Sequence, residues 1–360
     1  MWNTSKQKNN IRKTAALLLL LVTAGCNLPA ASTPTPDLLA TLQASTPLTG
    51  PTPAQLATPA PTETPVILTL TLTPADGIPS PSPADGLTGH IVFTCQIFKV
   101  QARNQICIMN ADGTGYRRLT TDDTRQHFYP SLAPDGASVV YAAFYDTDNY
   151  ELYELTLADG SVKRLTNGYG VETAPEISPD GKSIVYTKFN TATGNYQIII
   201  ARRDGRDAGN IPRVNGWDPT WSPDGKRILF ASDRRGAVQL YTVKLDGSEL
   251  QAITNLPAIR GRSDWSPDGS LIVTYSGPAW NRELYIMNAD GSNVRQLSPA
   301  GGNSQGPSFS PDGKWVVFTA YFDRYGDDHG CEIYVIRTDG TALRRLTNND
   351  YCDYQPRWGP

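Results

Sequence analysis

The sequence predicts an all-β protein: a six-bladed β-propeller of four-stranded blades, closed by pairing N- and C-terminal strands in one blade. The first observation is a turn motif that returns about every 44 residues, a spacing typical of propeller repeats. It reads Ala-Pro-Asp-Gly from Ala133 and Ser-Pro-Asp-Gly from Ser178, Ser222, Ser266 and Ser310. The second is a short β-branched or aromatic run after each turn, and the third is a further series of Asp-Gly turns.

Each repeat divides into four strands in order. An innermost strand leads into the Pro-Asp-Gly turn, and an apolar second strand follows, for example Ser183 to Tyr186. A polar loop and a third strand come next, ending in an Asp-Gly turn such as Asp204-Gly205. A short outer strand closes the unit with Leu-Thr or a similar pair, as at Leu165-Thr166. Because Asp and Gly accept the positive φ angles of tight turns, both short turns are expected on one face, the turn face, and the longer loops on the other, the loop face.

The two ends of the repeat region are expected to complete one blade together. The strand Gly89 to Thr94 has no innermost strand before it, while Gln355 to Pro360 at the other end is an innermost strand without followers. Pairing these two segments would close the ring and remove an open sheet edge. This count gives six blades over residues 89–360.

The repeats resemble the WD-repeat-like propeller of the TolB type. The resemblance is carried by the runs Pro219 to Phe230 and Leu284 to Leu297, which read PTWSPDGKRILF and LYIMNADGSNVRQL. It covers residues 89–360 and implies the propeller fold. The chain shows neither the α/β domain that precedes the propeller in TolB-like proteins nor the hydrolase domain that follows it in prolyl-oligopeptidase-like peptidases. The resemblance therefore implies neither Pal binding nor peptidase activity.

Residues 1–25 are predicted to be a lipoprotein signal peptide. Four basic residues precede an apolar run, Ala15 to Val22, that is short for a membrane span. The run ends in Thr23-Ala24-Gly25-Cys26, which resembles a bacterial lipobox, so Cys26 is the expected lipidation site. An ordinary secretory signal that happens to contain a cysteine is the alternative. The protein is therefore predicted to lie in the bacterial cell envelope, lipid-anchored to a membrane and facing outside the cytoplasm, either in the periplasm or on the cell surface.

Residues 26–88 are predicted to be the lipidated cysteine followed by a disordered stalk. Residues 27–88 contain 13 Pro residues, no Lys or Arg, and no aromatic residue. Such a composition buries too little apolar surface to fold and favours extended conformations. The stalk would hold the propeller away from the membrane, which the protein contacts through the lipid anchor only.

Composition and cysteine usage narrow the range of functions. The formal net charge is −3 without a concentrated basic segment in the propeller, which argues against nucleic-acid binding. Four cysteines remain after Cys26, and they allow three pairings. Cys95 with Cys107 and Cys331 with Cys352 are the expected disulfides, because each pair flanks the seam where the ring closes and an exported protein is in an oxidising compartment.

No cofactor, metal site or catalytic motif is predicted. His90, His127 and His329 lie on separate segments without metal-ligand spacing, and no nucleophile elbow or phosphate-binding loop is present. The Ser and Asp of the repeated turns are expected to hydrogen-bond the backbone of their own turns. Trp221, Trp265, Trp315 and Phe309 recur at repeat positions and are expected in the core between blades.

The loop face is the predicted ligand-binding face because it varies between repeats and concentrates aromatic and charged residues. The candidate residues are His127, Tyr129, Glu172, Trp217, Asp218, Arg260, Arg262, Gln305, Asp353 and Tyr354. Adjoining loops add others, among them Trp280, Arg282 and Tyr321. The sequence thus predicts a monomeric binding or scaffolding module for an unidentified envelope protein, peptide or glycan. The alternative is a polysaccharide lyase or hydrolase that uses Glu172, Asp218 and Asp353.

Overall fold

The computed structural model describes residues 86–97, 103–146, 149–168, 170–190, 193–259, 261–322 and 330–360. Within these ranges the chain forms β-strands joined by turns and loops, and no helix has the length and apolarity needed to cross a bilayer. The predicted signal peptide, the stalk and Cys26 lie outside the described residues.

The closing sheet joins the two ends of the described chain, as predicted. Its four strands are ordered β24-β1-β2-β3. Their bounds are Asp353–Gly359 (β24), His90–Gln96 (β1), Asn104–Asn110 (β2) and Arg117–Arg118 (β3). β1 is antiparallel to both β2 and β24, with Ile91 opposite Met109 on one side and Trp358 on the other.

The long sheet contains eight strands in two halves. The first half is β4 to β7 and the second is β8 to β11, each antiparallel in chain order. The bounds of the first half are His127–Leu132 (β4), Ser138–Asp146 (β5), Asn149–Thr156 (β6) and Val162–Arg164 (β7). Those of the second are Val171–Ile177 (β8), Ser183–Asn190 (β9), Asn195–Arg202 (β10) and Gly209–Asn215 (β11). One parallel bridge between Tyr150 and Val171 joins the halves.

Three further sheets of four antiparallel strands follow in chain order. The third sheet has strands Trp217–Trp221 (β12), Arg227–Ser232 (β13), Gln239–Lys244 (β14) and Gln251–Ala252 (β15). The fourth has Asp264–Trp265 (β16), Leu271–Ser276 (β17), Glu283–Asn288 (β18) and Arg295–Gln296 (β19). The fifth has Gln305–Phe309 (β20), Trp315–Ala320 (β21), Glu332–Arg337 (β22) and Arg344–Arg345 (β23).

The β-propeller class is therefore confirmed, whereas the predicted set of six separate four-stranded sheets is not what the strand pairing gives. Four sheets have four strands, and the Tyr150–Val171 bridge merges the remaining strands into one sheet of eight. The innermost strands β24, β4, β8, β12, β16 and β20 each contact the next and return to β24, so they form a ring around a central axis.

Side chains from neighbouring sheets make the core, as expected for stacked blades. Trp315 of the fifth sheet packs with Ile91 and Phe93 of the closing sheet. Trp221 of the third sheet packs with Val185 of the long sheet, and Phe309 of the fifth with Val273 of the fourth. The predicted core positions of these two tryptophans and Phe309 are confirmed, and Trp265 is a half-buried neighbour of such a cluster. Burial of one such side chain contributes about 1.5–3 kcal/mol.

The repeated turns are held by their own side chains, as the sequence predicts. The Ser178 hydroxyl donates to Asp180 Oδ1 at 2.6 Å and accepts the backbone N–H of Ser183 at 2.9 Å. The turns that begin at Ser222, Ser266 and Ser310 have the same two hydrogen bonds. The Ser-Pro-Asp-Gly repeat is therefore a structural device for a tight turn.

The Leu-Thr ends of the outer strands have a comparable role. The Thr166 hydroxyl donates to Glu151 Oε2 at 2.9 Å and accepts the backbone N–H of Leu152 at 2.9 Å. Hydroxyls that pair in the same way with a residue near the start of the third strand belong to Thr120, Thr254, Ser298 and Thr347. The hydroxyl thus fixes the outer strand against the buried start of the third strand.

Two disulfides strengthen the seam, with the predicted pairing. Cys95 and Cys107 join β1 to β2, and their Cα atoms are 5.8 Å apart. Cys331 and Cys352 precede β22 and β24 and have a Cα separation of 4.3 Å, so they connect the fifth sheet to the closing strand. The Asp353 N–H donates to the Cys331 carbonyl at 2.7 Å and adds to this connection.

Candidate functional site

A β-bulge shapes five of the six innermost strands, at an equivalent position in each of them. In β12 the ladder pairs Trp217 and then Thr220 with β13, so Asp218 and Pro219 are left out of it. Equivalent register shifts occur in β4, β8 and β20, and between β1 and β24. The first residue of each bulge has a positive φ: Tyr129 at 55°, Ala174 at 51°, Asp218 at 51°, Gly306 at 59° and Gln355 at 54°. Because a bulge releases backbone groups from the ladder, it leaves carbonyl oxygens available near the axis.

Arg262 occupies the position in the fourth sheet that these bulge residues occupy elsewhere, and it reaches across the axis. Its side chain is 5% exposed, and Nη2 donates to the Pro130 carbonyl at 2.8 Å in the long sheet. Nη1 lies 3.5 Å from the Gln355 carbonyl of the closing sheet, and Cζ lies 5.6 Å from the Tyr129 ring centroid. Burial, together with the nearby Arg357 cation, lowers the pKa of Arg262 to about 9. The group therefore remains a cation at neutral pH.

Arg357 lies one level closer to the turn face and makes a second link across the axis. Its Nη1 lies 3.5 Å from Asp264 Oδ2 and donates to the Pro307 carbonyl at 3.4 Å. Its Nη2 donates to the Ser263 carbonyl at 3.3 Å. The two guanidinium groups thus use bulge carbonyls and a carboxylate to hold the closing, long, fourth and fifth sheets together.

Carboxylates at the same level join neighbouring innermost strands. Glu176 Oε1 accepts the Thr220 hydroxyl at 3.1 Å and the Trp221 N–H at 3.2 Å. Asp264 Oδ2 accepts the Ser308 hydroxyl and the Phe309 N–H in the same pattern, at 2.8 and 2.9 Å. Burial raises the pKa of Glu176 to about 7, although Arg357 and the two hydrogen bonds oppose that shift.

The loop end of the axis forms an aromatic and polar mouth around Tyr129, Trp217 and Asp218. All three keep part of their surface accessible to solvent, although burial raises the pKa of both Tyr129 and Asp218. Trp217 packs on Tyr196 with ring centroids 5.6 Å apart. The Asp218 carboxylate accepts a hydrogen bond from the backbone N–H of Arg262 at 3.1 Å.

Three of the sequence-predicted site residues are buried instead of lining this mouth. His127 is 5% exposed and packs edge-on against Tyr141, and burial lowers its pKa to about 4. Glu172 is 2% exposed, and its Oε1 is 2.6 Å from Lys188 Nζ. Asp353 is fully buried, and burial with the nearby Glu332 charge raises its pKa to about 8.

The other predicted residues have different surroundings. Gln305 is buried and accepts a hydrogen bond from Arg282 Nη1 at 2.6 Å, and Tyr354 is half-buried. Arg260 lies outside the described residues. The structure therefore brings together Tyr129, Asp218 and Arg262, with Trp217 beside them. Glu176, Asp264 and Arg357 belong to the same axial cluster and were not among the predicted site residues.

The arrangement is suited to binding at the mouth, with the deeper axis filled by the protein's own side chains. In the part of the chain that the structure describes, no group of three or more His, Cys, Asp or Glu side chains could hold a metal ion. A shallow groove of about 310 Å³ lies elsewhere, lined by charged residues that include Glu154 and Arg203. In this groove Arg203 and Glu154 form an ion pair, with Arg203 Nη2 2.7 Å from Glu154 Oε1.

Comparisons with known proteins agree with the fold. The chain is 33% identical over 163 residues to the Tol-Pal system protein TolB of Bordetella pertussis, a match that covers 44% of this chain and 36% of that protein. A 76-residue segment is 34% identical to the uncharacterized peptidase YuxL of Bacillus subtilis, covering 20% of this chain and 12% of the peptidase. The chain thus spans only a minor part of these relatives.

Solved structures and a family model complete the comparison. TolB from Acinetobacter baumannii is 25% identical with a TM-score of 0.67, over 76% of this chain and 67% of that one. A putative TolB from Agrobacterium tumefaciens is 21% identical with a TM-score of 0.56, over 76% of this chain and all of that one, and shows the fold alone. The model of the TolB beta propeller domain matches residues 86–321 and 250–360. The chain therefore belongs to the TolB β-propeller family.

Proposed function

We propose that this protein is a binding module of the bacterial cell envelope that captures a partner protein on its loop face. We also propose that it has six blades, with the two halves of the long sheet counted separately. Two observations support that count: among the described residues a single parallel bridge is the strand pairing between the halves, and the ring of innermost strands has six members.

The observation that carries the binding proposal is the mouth at the loop end of the axis. Backbone strain, aromatic surface and partly accessible buried polar groups coincide there in Tyr129, Trp217 and Asp218. Strained conformations that a fold retains are often found at functional sites, and Trp and Tyr dominate the binding energy of many interfaces. Below the mouth, Arg262 and Arg357 lie across the axis, so a partner would rest on the mouth and not thread through it.

The family supports a protein partner as the first candidate. A relative bears the name Tol-Pal system protein, which describes a component of a multiprotein system. A peptide or a glycan would be an alternative occupant of the mouth. We propose a monomer that requires no cofactor and no nucleic acid.

The proposed position in the cell depends on the N-terminal sequence. Residues 1–25 would direct export, Cys26 would carry the lipid, and residues 26–88 would form the stalk that presents the propeller outside the cytoplasm. The two disulfides are consistent with such an oxidising compartment.

The lyase or hydrolase alternative needs two carboxyl groups facing each other across an accessible cleft. Glu172 is ion-paired with Lys188, and Asp353 is sealed between sheets beside Glu332. Of the three candidate carboxylates only Asp218 lies at the mouth, where it accepts a hydrogen bond from the backbone N–H of Arg262. The geometry therefore favours binding.

The experiment is capture of envelope proteins by the immobilised propeller and by its variants. Trp217→Ala should reduce the recovery of a specific partner at least tenfold, because it removes a partly exposed aromatic ring from the mouth. Lys182→Ala and Lys314→Ala, on the turn face, are the controls and should leave recovery unchanged. Arg262→Ala is a poor probe, since loss of a buried cross-axis hydrogen bond would also destabilise the fold. Loss of recovery in the turn-face variants, with normal recovery for Trp217→Ala, would contradict the proposal.

A further inference from the structure

The charged groove lies on the turn face, where the two halves of the long sheet meet. Its volume is about 310 Å³, and it is lined by four cations and two carboxylates: Lys163, Lys182, Arg202, Arg203, Glu154 and Asp204. Lys163 lies on the outer strand β7 of the first half, whereas Lys182 immediately precedes β9 and Arg202 ends β10 in the second. Both halves therefore build this groove, and the side chains of these three cations are exposed to solvent.

Two side chains in the groove depart from the pattern of the repeats. Glu154 lies two residues before the end of its third strand, a position that is uncharged in the other repeats: Ile108, Ile200, Thr242, Ile286 and Val335. Arg203 follows the last residue of its third strand, where the other repeats also have uncharged residues: Ala111, Leu157, Leu245, Ala289 and Thr338. Each half thus contributes one charged residue that no other repeat has at the same position.

Arginines already neutralise both carboxylates of the groove. Glu154 Oε1 accepts hydrogen bonds from Arg203 Nη2 at 2.7 Å, from Arg203 Nε at 3.0 Å and from the Ser138 hydroxyl at 2.7 Å. The Asp204 carboxylate accepts Arg206 Nε at 2.8 Å and the backbone N–H of Arg206 at 3.2 Å. These hydrogen bonds lower the pKa of Asp204 to about 2. Neither carboxylate therefore needs Lys163 or Lys182 as its partner.

The remaining cations of the groove are held loosely. Lys182 Nζ lies 3.8 Å from the Asp180 carboxylate, and Arg202 approaches two carboxylates no closer than 3.8 Å. The side chains of Lys182 and Arg202 are 81% and 58% exposed. Lys163 is exposed as well, and it forms no ion pair within the described parts of the chain. Since exposed ion pairs at such distances contribute little to stability, an incoming anion can replace them.

We propose that Lys163, Lys182 and Arg202 form a binding site for a phosphate group on the turn face. A phosphate group presents acceptor oxygens in several directions and so can contact three cations at once, which the two coplanar oxygens of a carboxylate do less well. The volume of the groove also leaves room for a small organic group that carries the phosphate. The site is separate from the mouth on the loop face, so it does not rest on the proposed function.

The test is calorimetric titration of the disulfide-bonded full chain with inorganic phosphate and with glycerol phosphate, the phosphate-bearing unit of phospholipids. Lys163→Gln and Lys182→Gln should each weaken phosphate binding at least about tenfold, because each removes a charge-assisted contact. Lys226→Gln is the matched control, since Lys226 has the same place in the next repeated turn, lies 3.7 Å from Asp224 and is not part of the groove. This control should bind phosphate as the wild type does.

The two ligands distinguish the sources of the phosphate. Tighter binding of glycerol phosphate indicates a lipid or polymer as the source, and tighter binding of inorganic phosphate indicates the free ion. Because all three lysines are exposed, the midpoint of thermal unfolding should be the same in the three variants and the wild type. A lower midpoint in Lys163→Gln or Lys182→Gln would mean that the residue stabilises the fold and would contradict the loose pairing argued above.

Three results would overturn the proposal. The wild type binds neither ligand, or Lys163→Gln or Lys182→Gln binds as tightly as the wild type, or Lys226→Gln weakens binding as much as Lys182→Gln does. The last result would show an effect of surface charge in general. Partner capture is measured separately: Trp217→Ala should leave phosphate binding unchanged, and Lys182→Gln should leave capture at the mouth unchanged. Failure of this proposal and failure of the proposed function can therefore be distinguished.

Discussion

Replacement of Gly205 by alanine should be among the most destabilising single changes at the surface of this protein. Gly205 lies in the Asp-Gly turn between β10 and β11, with φ = 86°. A Cβ atom added there would lie 1.8 Å from the carbonyl oxygen of Leu165 in the first half of the long sheet. The turn of one half is thus stacked directly on the backbone of the other, and Gly291 makes the same approach to the Ile253 carbonyl.

The chain contains a matched control for this effect. Gly160 occupies the equivalent Asp-Gly turn of the first half with φ = 72°, and an added Cβ would meet nothing within 4 Å. Gly160→Ala therefore introduces the cost of positive φ alone, about 1–2 kcal/mol. Gly205→Ala adds a backbone clash that only movement of the two halves can relieve, at a further cost of about 1–3 kcal/mol.

Thermal unfolding followed by circular dichroism would measure the difference. For a domain of this size each kcal/mol lowers the midpoint by about 2–4 °C, so Gly205→Ala should unfold at least about 2 °C below Gly160→Ala. Gly194→Ala, which also has positive φ and open space, should behave like Gly160→Ala. Equal midpoints for Gly160→Ala and Gly205→Ala would refute the argument that these turns bear the contact between neighbouring units.

Three other predictions concern the anchor, the seam and the axis. Cys26→Ala should abolish labelling by a radioactive or clickable fatty acid and stop maturation of the precursor, and unchanged labelling would show that the lipid is elsewhere or absent. Cys331→Ala with Cys352→Ala should lower the free energy of unfolding by about 2–4 kcal/mol in a denaturant titration, since the link between the fifth sheet and the closing strand is lost; an unchanged titration would contradict the role given to this disulfide. Burial raises the pKa of Glu176 from 4.5 in the unfolded chain to about 7 in the folded protein, so its stabilising contribution is fully present below pH 4.5 and is lost as the pH rises through 7. Glu176→Gln, which keeps the acceptor for Thr220 and Trp221, should therefore remove up to about 3 kcal/mol of the decline in stability between pH 5 and 8, whereas pH profiles of identical slope for variant and wild type would show that Glu176 does not titrate in this range.

Much of the fold could be predicted because its determinants are local. The Ser-Pro-Asp-Gly turns, the Leu-Thr ends and the pairing of the two chain ends follow from hydrogen bonds and strand patterns that a single repeat already contains. The bridge from Tyr150 to Val171 could not be predicted in this way, since it depends on how closely two neighbouring units approach.

The site was harder to predict because one extra residue in a strand, as at a bulge, reverses the side of the strand to which the neighbouring side chains point. His127 and Tyr129 are two residues apart, yet the bulge that follows places the first between sheets and the second at the axis. Glu176, Asp264 and Arg357 were not among the predicted site residues. A signal was nevertheless present: all three occupy the position two residues before the turn, where other repeats have Ser or Thr.

The place of β1 in the closing sheet has a mechanical consequence. β1 is the first strand after the proposed stalk, and it is hydrogen-bonded along its length to β2 on one side and to β24 on the other. A pulling force that enters through residues 86–89 would load both ladders in shear, so that their bonds resist together and do not open one after another. A propeller held by its stalk while its opposite face carries a partner would therefore transmit tension without unravelling from the tethered end.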